Sequence, residues 1–261
     1  SYLDENGSKQ TADNVTVVGS SMTAWNGGWY VVNGAVTIDG RVTVSGEVHL
    51  ILADNASLTV NDGIDVAENN SFSVYAQSVG ENMGTLTATS SGSEEAGIGG
   101  TRENAGTITI NGGSITATGG RNGAGIGSGF EGSGGSFTTR TDGHALIFAN
   151  GGIADKTMQD SWSGIIFDEN DGKVYKDQTL QENIKIPSGK TLTVPENTTL
   201  TVNSGVTLTN SGTITGNGTL GGEGNLAGSG TVANIIRNNL QKDSNVTVEV
   251  NSSTAAYGSK V

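Results

Sequence analysis

Aromatic residues near the start of the chain are the candidates for ligand chemistry. Trp25, Asn26, Trp29 and Tyr30 lie close together, although the chain contains only three tryptophans. Flat aromatic faces stack on sugar rings, and a neighbouring amide supplies hydrogen-bond donors and acceptors. These four residues are therefore the predicted carbohydrate-binding residues. The same rings can instead cover the open end of an apolar core, and the sequence leaves both interpretations open.

Acidic residues suggest a second chemistry, the cleavage of polysaccharides. A glycosidase needs a pair of carboxylates across a sugar ring, and a lyase needs acidic residues that bind calcium and a basic residue that accepts a proton. The residues considered for this role are Asp39, Asp54, Asp62 and Asp65, with Arg41 and His49 nearby in sequence. Most of these aspartates sit in Asp-Gly, Asp-Asn and Asn-Asp turns, where local hydrogen bonds explain them. The prediction is therefore a protein that is not an enzyme, with a lyase or hydrolase as the alternative.

Recurrent Thr-x-Thr pairs suggest a third function, ice binding by a flat solenoid face. Threonine is also a common residue on the solvent side of strands, and the gaps between the pairs are irregular. Ice binding stays an alternative on this basis. The pairs are Thr85/Thr87, Thr107/Thr109, Thr191/Thr193, Thr199/Thr201, Thr207/Thr209 and Thr213/Thr215.

Metal and cofactor chemistry have little support in this sequence. There is no cysteine, and the two histidines, His49 and His144, have no metal-ligand companion at short spacing. The glycine pair of Gly97-Ile98-Gly99 has the spacing of a nucleotide loop, but no helical pattern follows it. No metal, catalytic residue or cofactor is therefore predicted.

A repeat organises the middle of the chain. G-T-L-T-A-T, A-G-I-G-G and G-T-I-T-I-N-G-G occupy 84–89, 96–100 and 106–113. G-S-I-T-A-T-G-G, A-G-I-G-S-G and G-S-F-T-T-R then follow, ending at residue 140. Ile98 and Ile126 hold equivalent places in the two copies, and a repeat of this length is typical of a solenoid.

A shorter period dominates the later part of the chain. One aliphatic residue recurs at every sixth position, which is typical of the faces of a triangular β-helix. These residues are Val202, Leu208, Ile214, Leu220, Leu226 and Val232.

The predicted fold class is all-β: a right-handed parallel β-helix over residues 1–242, with hexad-period coils near its C-terminal end. The chain is only 33% hydrophobic and contains 42 glycines, which suits a thin solenoid better than a globule. The segment 154–162 is the only plausible short helix or extended loop. We expect Ile98, Ile110, Ile115 and Ile126 to point inward, together with the hexad aliphatics.

Charge excludes two classes of partner. The formal net charge is −13, which repels both nucleic-acid phosphates and anionic membrane surfaces. No run of 18 apolar residues is present, so no membrane insertion by this segment is expected. The absence of cysteine and the polar surface residues fit an exported bacterial protein.

Five motifs follow one another in a characteristic order: Gly28-Trp29-Tyr30-Val31-Val32, Gly46 to Leu52, Gly63-Ile64-Asp65-Val66, Ser73 to Ser78 and the two Ala-Gly-Ile-Gly segments. Together they resemble a recurrent module of large cell-surface proteins in Gram-positive anaerobes. The resemblance covers about residues 1 to 235 and implies an extracellular carbohydrate-binding, adhesin-like or spacer β-helix with no known catalytic residues. It also implies a monomer within a larger multidomain chain, with a glycan or a host or partner surface protein as ligand. The tail, 243–261, resembles the opening of an immunoglobulin-like repeat.

Overall fold

A computed structural model shows a chain built of β-strands in two compact units, 1–169 and 170–261. The one helix among the described residues is a 3-10 turn at Gln159–Ser161, inside the segment predicted as a short helix or extended loop. The described residues are 1–79, 82–132, 135–140, 144–233, 235–238, 240–242 and 247–249.

The first unit contains strands β1 to β17, of which β1 and β2 form an antiparallel hairpin. The strands β1 to β9 are Tyr2–Leu3, Lys9–Gln10, Thr16–Val17, Ala24–Val32, Ala35–Ile38, Val42–Leu52, Ser57–Val60, Ile64–Asp65 and Ser71–Ala76. The strands β10 to β17 are Thr85–Thr89, Ile98–Gly99, Thr107–Ile110, Ser114–Thr118, Ile126–Gly127, Ser136–Thr139, Leu146–Asn150 and Gly164–Asp168.

Three stacks of parallel strands form the body of the first unit. They are β8–β11–β14, β9–β12–β15 and β7–β10–β13–β16. The chain visits the stacks in turn, and we call one such passage a circuit. Ile98 lies opposite Ile126, which confirms that the two copies of the repeat are equivalent and pair with each other. Each copy of the repeat therefore supplies one circuit.

Alternating burial along the strands explains why these segments are strands. In β10, β12 and β13 every second residue is buried, and the residues between them are more exposed. Ile98, Ile110, Ile115 and Ile126 are all fully buried, as predicted. Because successive side chains of a strand point to opposite faces, every second side chain points inward and forms an apolar row. Burial of this row between stacked circuits stabilises their packing.

Two strands near the start of the first unit are longer than the sequence suggests. The pair Ser45-Gly46 reads as a turn, yet β6 runs without a break from Val42 to Leu52, and Gly46 adopts a φ of 76° within it. The strand β4 pairs along β6 in parallel, and its register shifts between Asn26 and Gly28. This shift is a β-bulge, which changes the face that later residues occupy.

The second unit contains three further stacks of parallel strands, β18–β21–β24–β27–β30, β19–β22–β25–β28 and β20–β23–β26–β29. The strands β18 to β24 are Asp171–Tyr175, Gln178–Leu180, Ile184–Ile186, Thr191–Val194, Thr199–Val202, Thr207–Asn210 and Thr213–Gly216. The strands β25 to β30 are Thr219–Gly222, Asn225–Ala227, Thr231–Ala233, Ile236–Asn238, Gln241–Lys242 and Thr247–Glu249.

The six-residue period corresponds to one step from stack to stack. Leu208 lies opposite Leu226, and Ile214 lies opposite Val232, so three hexads complete one circuit. All six hexad aliphatics are buried, which confirms their predicted inward position. Gly216 has a φ of 123°, and a Cβ there would lie 2.0 Å from the Val194 carbonyl oxygen, so only glycine fits this corner.

The predicted C-terminal tail contains one described strand. Within it, β30 pairs in parallel with β27, with Thr247 opposite Thr231. The rest of the segment 243–261 lies outside the described residues, so its predicted likeness to an immunoglobulin-like repeat stays a prediction.

The first testable prediction concerns the close stacking of the two repeat copies at Gly99. Gly99 has a φ of 140°, and a Cβ there would lie 1.8 Å from the Gly127 carbonyl oxygen. We expect Gly99→Ala to lower the free energy of unfolding by about 3 kcal/mol or more, through backbone strain and overlap.

The matched control is Gly34→Ala, because a Cβ at Gly34 meets nothing within 4 Å. We expect this variant to stay within about 0.5 kcal/mol of the parent protein. Urea denaturation followed by circular dichroism measures both variants. Equal stability of the two variants would contradict the stacking.

Candidate functional site

The register shift between β4 and β6 separates the four predicted carbohydrate-binding residues. Trp25 and Tyr30 are 0% and 7% exposed, and their rings stack in the core with centroids 5.5 Å apart. Asn26 is exposed, and its backbone N–H donates to the Tyr30 hydroxyl over 2.9 Å. Trp29 is half-buried on the other face. The structure therefore does not bring the four residues together on one exposed surface. Trp25 and Tyr30, five positions apart in β4, both face inward because their partners Val44 and Leu50 lie six positions apart in β6.

Trp29 instead joins a group of rings on the outside of the first unit. Its ring stacks on His49 at 4.4 Å between centroids, and it lies 4.5 Å from Tyr2 and 5.2 Å from Tyr75. We call Trp29, His49 and Tyr75 the outer aromatic surface, and the Tyr2 ring packs against it. Ring faces gathered in this way make a surface that suits a flat, partly apolar ligand.

Strand register positions these rings. Trp29 lies opposite His49, and Ile51 lies opposite Tyr75. In the sequence, His49 is a candidate base beside the acids. No pattern considered there predicts that His49, Tyr2 or Tyr75 lies on one surface with Trp29. Aligning Glu47 to Leu52 with Ser71 to Ala76 by their alternation would have placed His49 and Tyr75 on one face, but nothing in the sequence points to Tyr2.

Polar groups border the rings. The His49 Nδ1 lies 3.4 Å from the Tyr75 hydroxyl, and the His49 Nε2 lies 3.5 Å from the Glu47 carboxylate. Burial lowers the pKa of the His49 imidazole, while the Glu47 carboxylate opposes this by raising it. The histidine is therefore neutral near pH 7, and the exposed Glu47 carboxylate carries the charge at this edge.

Hydroxyl groups continue the outer face beyond the rings. The residue opposite His49 is Ser73, which is followed by Thr109 and Thr138 in successive strands. These three residues are half-buried and lie in one row along the stack. The outer face of this stack thus changes from aromatic to hydroxyl-bearing along its length.

The aspartates considered for catalysis do not gather around a common cleft with His49. Asp39 accepts from Asn61 at 2.9 Å, and Asp54 accepts from Ser78 at 2.8 Å. Asp62 accepts from the backbone N–H and the hydroxyl of Ser91. Each bond joins a turn to the turn of a neighbouring circuit, which is the structural role that turn chemistry predicts.

Asp65 and Arg41 lie with Glu95 in a charged corner beside the repeat. The Arg41 guanidinium donates to the Glu95 carboxylate at 3.0 Å and to the carbonyl oxygens of Asp62 and Ala96. Burial raises the pKa of the Asp65 carboxyl, Arg41 lowers it, and Glu95 and Glu103 raise it. Arg41 thereby fastens three segments of this corner together.

A cleft of about 550 Å³ opens next to this corner. Glu95 is ion-paired with Arg41 and Glu94 with Arg102, so two of its three glutamates already have cationic partners. The side chains that line the cleft come from Ser93, Glu94, Glu95, Thr101, Arg102 and Glu103.

Metal binding and membrane spanning by helices have little support in the described part of the chain. Its histidine, aspartate and glutamate residues form no group of three that could hold a metal ion. Nor does the described chain include a helix with the length and apolar character needed to cross a membrane.

Comparison of the chain with protein-family models, with curated proteins and with solved structures gives no match. The resemblance to surface modules of Gram-positive anaerobes therefore stays a prediction from the motifs.

The second testable prediction assigns Arg41 a structural role. Arg41→Ala leaves the partly buried Glu95 carboxylate and two carbonyl oxygens without their donor. We expect a loss of about 2–3 kcal/mol in the free energy of unfolding. Thermal and urea denaturation measure this loss.

The control is Arg102→Ala, which removes an ion pair whose arginine is 72% exposed. We expect little change in stability, because exposed ion pairs contribute about 0–1 kcal/mol. If Arg41→Ala were as stable as this control, the corner would not depend on Arg41.

Proposed function

We propose that the chain is a right-handed parallel β-helix that acts as a non-catalytic, surface-displayed module and retains glycans on its outer aromatic surface. Parallel strands in stacks, visited in a fixed order, support the β-helix part of the proposal. In each unit the same order of stacks repeats, and apolar residues lie in register inside. Stacked circuits of this kind offer flat outer faces, which suits display of a binding surface away from a cell wall.

The observation that carries the proposed function is the outer aromatic surface itself. The rings of Trp29, His49 and Tyr75 meet on the outer face of the strands, and the exposed carboxylate of Glu47 lies at their edge. Sugars are bound by stacking on ring faces and by hydrogen bonds to a few polar groups at the rim. The row from Ser73 to Thr138 would extend such contacts along a polysaccharide chain.

A single site of this type would bind weakly. Stacking on one ring contributes on the order of 1 kcal/mol beyond the burial of its area. Useful retention would then come from several copies displayed together, because linked sites multiply their effective concentration. This expectation agrees with a module that is repeated or displayed in many copies on a surface.

The non-catalytic part of the proposal is supported by the partners of the carboxylates. Asp39, Asp54 and Asp62 hold turns of neighbouring circuits, and Glu95 is fastened to Arg41. A hydrolase or lyase would need carboxylates that are free to transfer protons to a sugar. Incubation with the retained glycan should therefore release neither reducing ends nor unsaturated sugars.

The third testable prediction concerns Trp29. We expect Trp29→Ala to abolish retention on a glycan array or an immobilised polysaccharide, with little change in melting temperature, because Trp29 lies outside the core. Affinity electrophoresis measures retention, and calorimetry measures the melting temperature.

The matched control is Phe130→Ala, which removes a ring that is 54% exposed and remote in sequence from Trp29. This variant should retain glycans as the parent protein does. Loss of several degrees in melting temperature with unchanged retention in Trp29→Ala would mean that Trp29 is structural and that glycans bind elsewhere.

Ice binding is the second candidate, and one observation favours it. Thr37, Thr59, Thr87 and Thr116 lie opposite one another in four successive strands, so their hydroxyls form one row. The row ends at Phe148, which lies opposite Thr116. Thermal hysteresis of the parent protein distinguishes this function from glycan binding, and we expect none.

A further inference from the structure

Several residues on the outer face of the first unit are buried although they do not belong to the core. Ile51 and Tyr75 lie opposite each other in β6 and β9 and are 3% and 8% exposed. Arg140, which follows β15, is 4% exposed. Their neighbours Leu50 and Val74 fill the interior, so another segment must lie over this outer row.

The hairpin of residues 2–10, which we call the strap, is the segment that contacts this row. The Tyr2 ring lies 4.5 Å from Trp29 and 4.9 Å from Tyr75 between centroids. Further along the row, the Arg140 Nη1 donates to the carbonyl oxygen of Asp4 over 3.1 Å. The strap therefore reaches from the rings to the end of β15.

Asp4 gives the strap its shape. Its Oδ1 accepts from the backbone N–H groups of Asn6 and Ser8, each at 2.9 Å, and its Oδ2 accepts from Gln10 Nε2 at 2.9 Å. Hydrogen bonds lower the pKa of the Asp4 carboxyl, and the bond from Gln10 has the largest effect. The carboxyl group is therefore ionised around neutral pH. One side chain thus organises the turn between β1 and β2.

The strap contacts the rest of the unit through its first strand and Asp4. Its two strands have two residues each; Tyr2 and Leu3 are half-buried, whereas Lys9 and Gln10 are exposed. A two-stranded hairpin is marginally stable by itself, and segments with few buried contacts open at low free-energy cost. The strap can therefore leave the surface while the stacked circuits stay folded.

We propose that the strap is a lid that controls access of glycans to the outer aromatic surface. This inference rests on the proposed function, because Trp29 and Tyr75 are the rings that the closed strap covers with Tyr2. A ligand that needs these rings binds only to the open state. Its apparent affinity is therefore the affinity of the open state multiplied by the fraction of molecules that are open. Changes that loosen the strap should strengthen glycan retention.

The fourth testable prediction uses Trp29 as a probe of the strap. Trp25 and Trp162 are fully buried, so quenching of tryptophan fluorescence by acrylamide reports mainly on Trp29. We expect Asp4→Ala to raise the quenching constant severalfold and to strengthen glycan retention, with an unchanged melting temperature. Asp4→Ala loosens the turn without altering any ring of the surface.

The matched control is Glu5→Ala, which removes a neighbouring exposed carboxylate and should leave quenching and retention as they are. Unchanged quenching in Asp4→Ala would overturn the lid, whatever the protein binds. Increased quenching with weaker retention would also overturn it, because the strap would then belong to the binding site. Increased quenching with no retention by any variant, the parent included, would contradict the proposed function and leave only the opening of the strap.

Discussion

In-register stacking of inward side chains is the constraint on which the rest of this structure depends. Ile64 lies opposite Ile98, which lies opposite Ile126, and all three are fully buried. A shift by one residue would turn such a row outward, since successive side chains in a strand point to opposite faces. The buried rows therefore fix the register of each circuit, and the register fixes what stands on the outer faces.

The outer aromatic surface is a direct consequence of that register. His49 and Ser73 stand in one row because Leu50 and Val74 stand in the adjacent buried row. Trp29 enters this row only because the bulge after Asn26 shifts the register of β4 relative to β6. Without the bulge, Trp25 and Trp29 would share one face, and the core would lose its stacked pair of rings.

The stacking could be predicted from the sequence wherever it produces a regular spacing of aliphatic residues. The repeat places Ile98 and Ile126 in equivalent positions, and the hexads place Leu208 and Leu226 likewise, because each circuit must present an aliphatic residue to the next. Buried aliphatics recur at fixed spacing wherever stacked strands share a core.

The candidate site could be predicted only in part, because it arises where periodicity is broken. The bulge adds one position to β6 relative to β4 and so changes which residues of β4 face inward. The glycines at this point, Gly27-Gly28 in β4 and Gly46 in β6, look like ordinary turn residues in the sequence. The contact of Tyr2 with Trp29 joins segments that share no pattern. The alternation of buried and exposed residues in β6 and β9 would have predicted that His49 and Tyr75 share one face, but it would not have predicted the contact with the strap.

The most direct test of this account is deletion of one circuit. Removing residues 98–125 takes out β11, β12 and β13, and it leaves β14, β15 and β16 to pair with β8, β9 and β10. The control removes only 98–111, which brings β13 to the place of β11 and misaligns the buried rows. Cooperative urea unfolding followed by circular dichroism should persist in the first variant, with a smaller denaturant dependence, and should be lost in the second. Loss of cooperative unfolding in both variants, or its persistence in both, would contradict the claim that each repeat is one complete circuit.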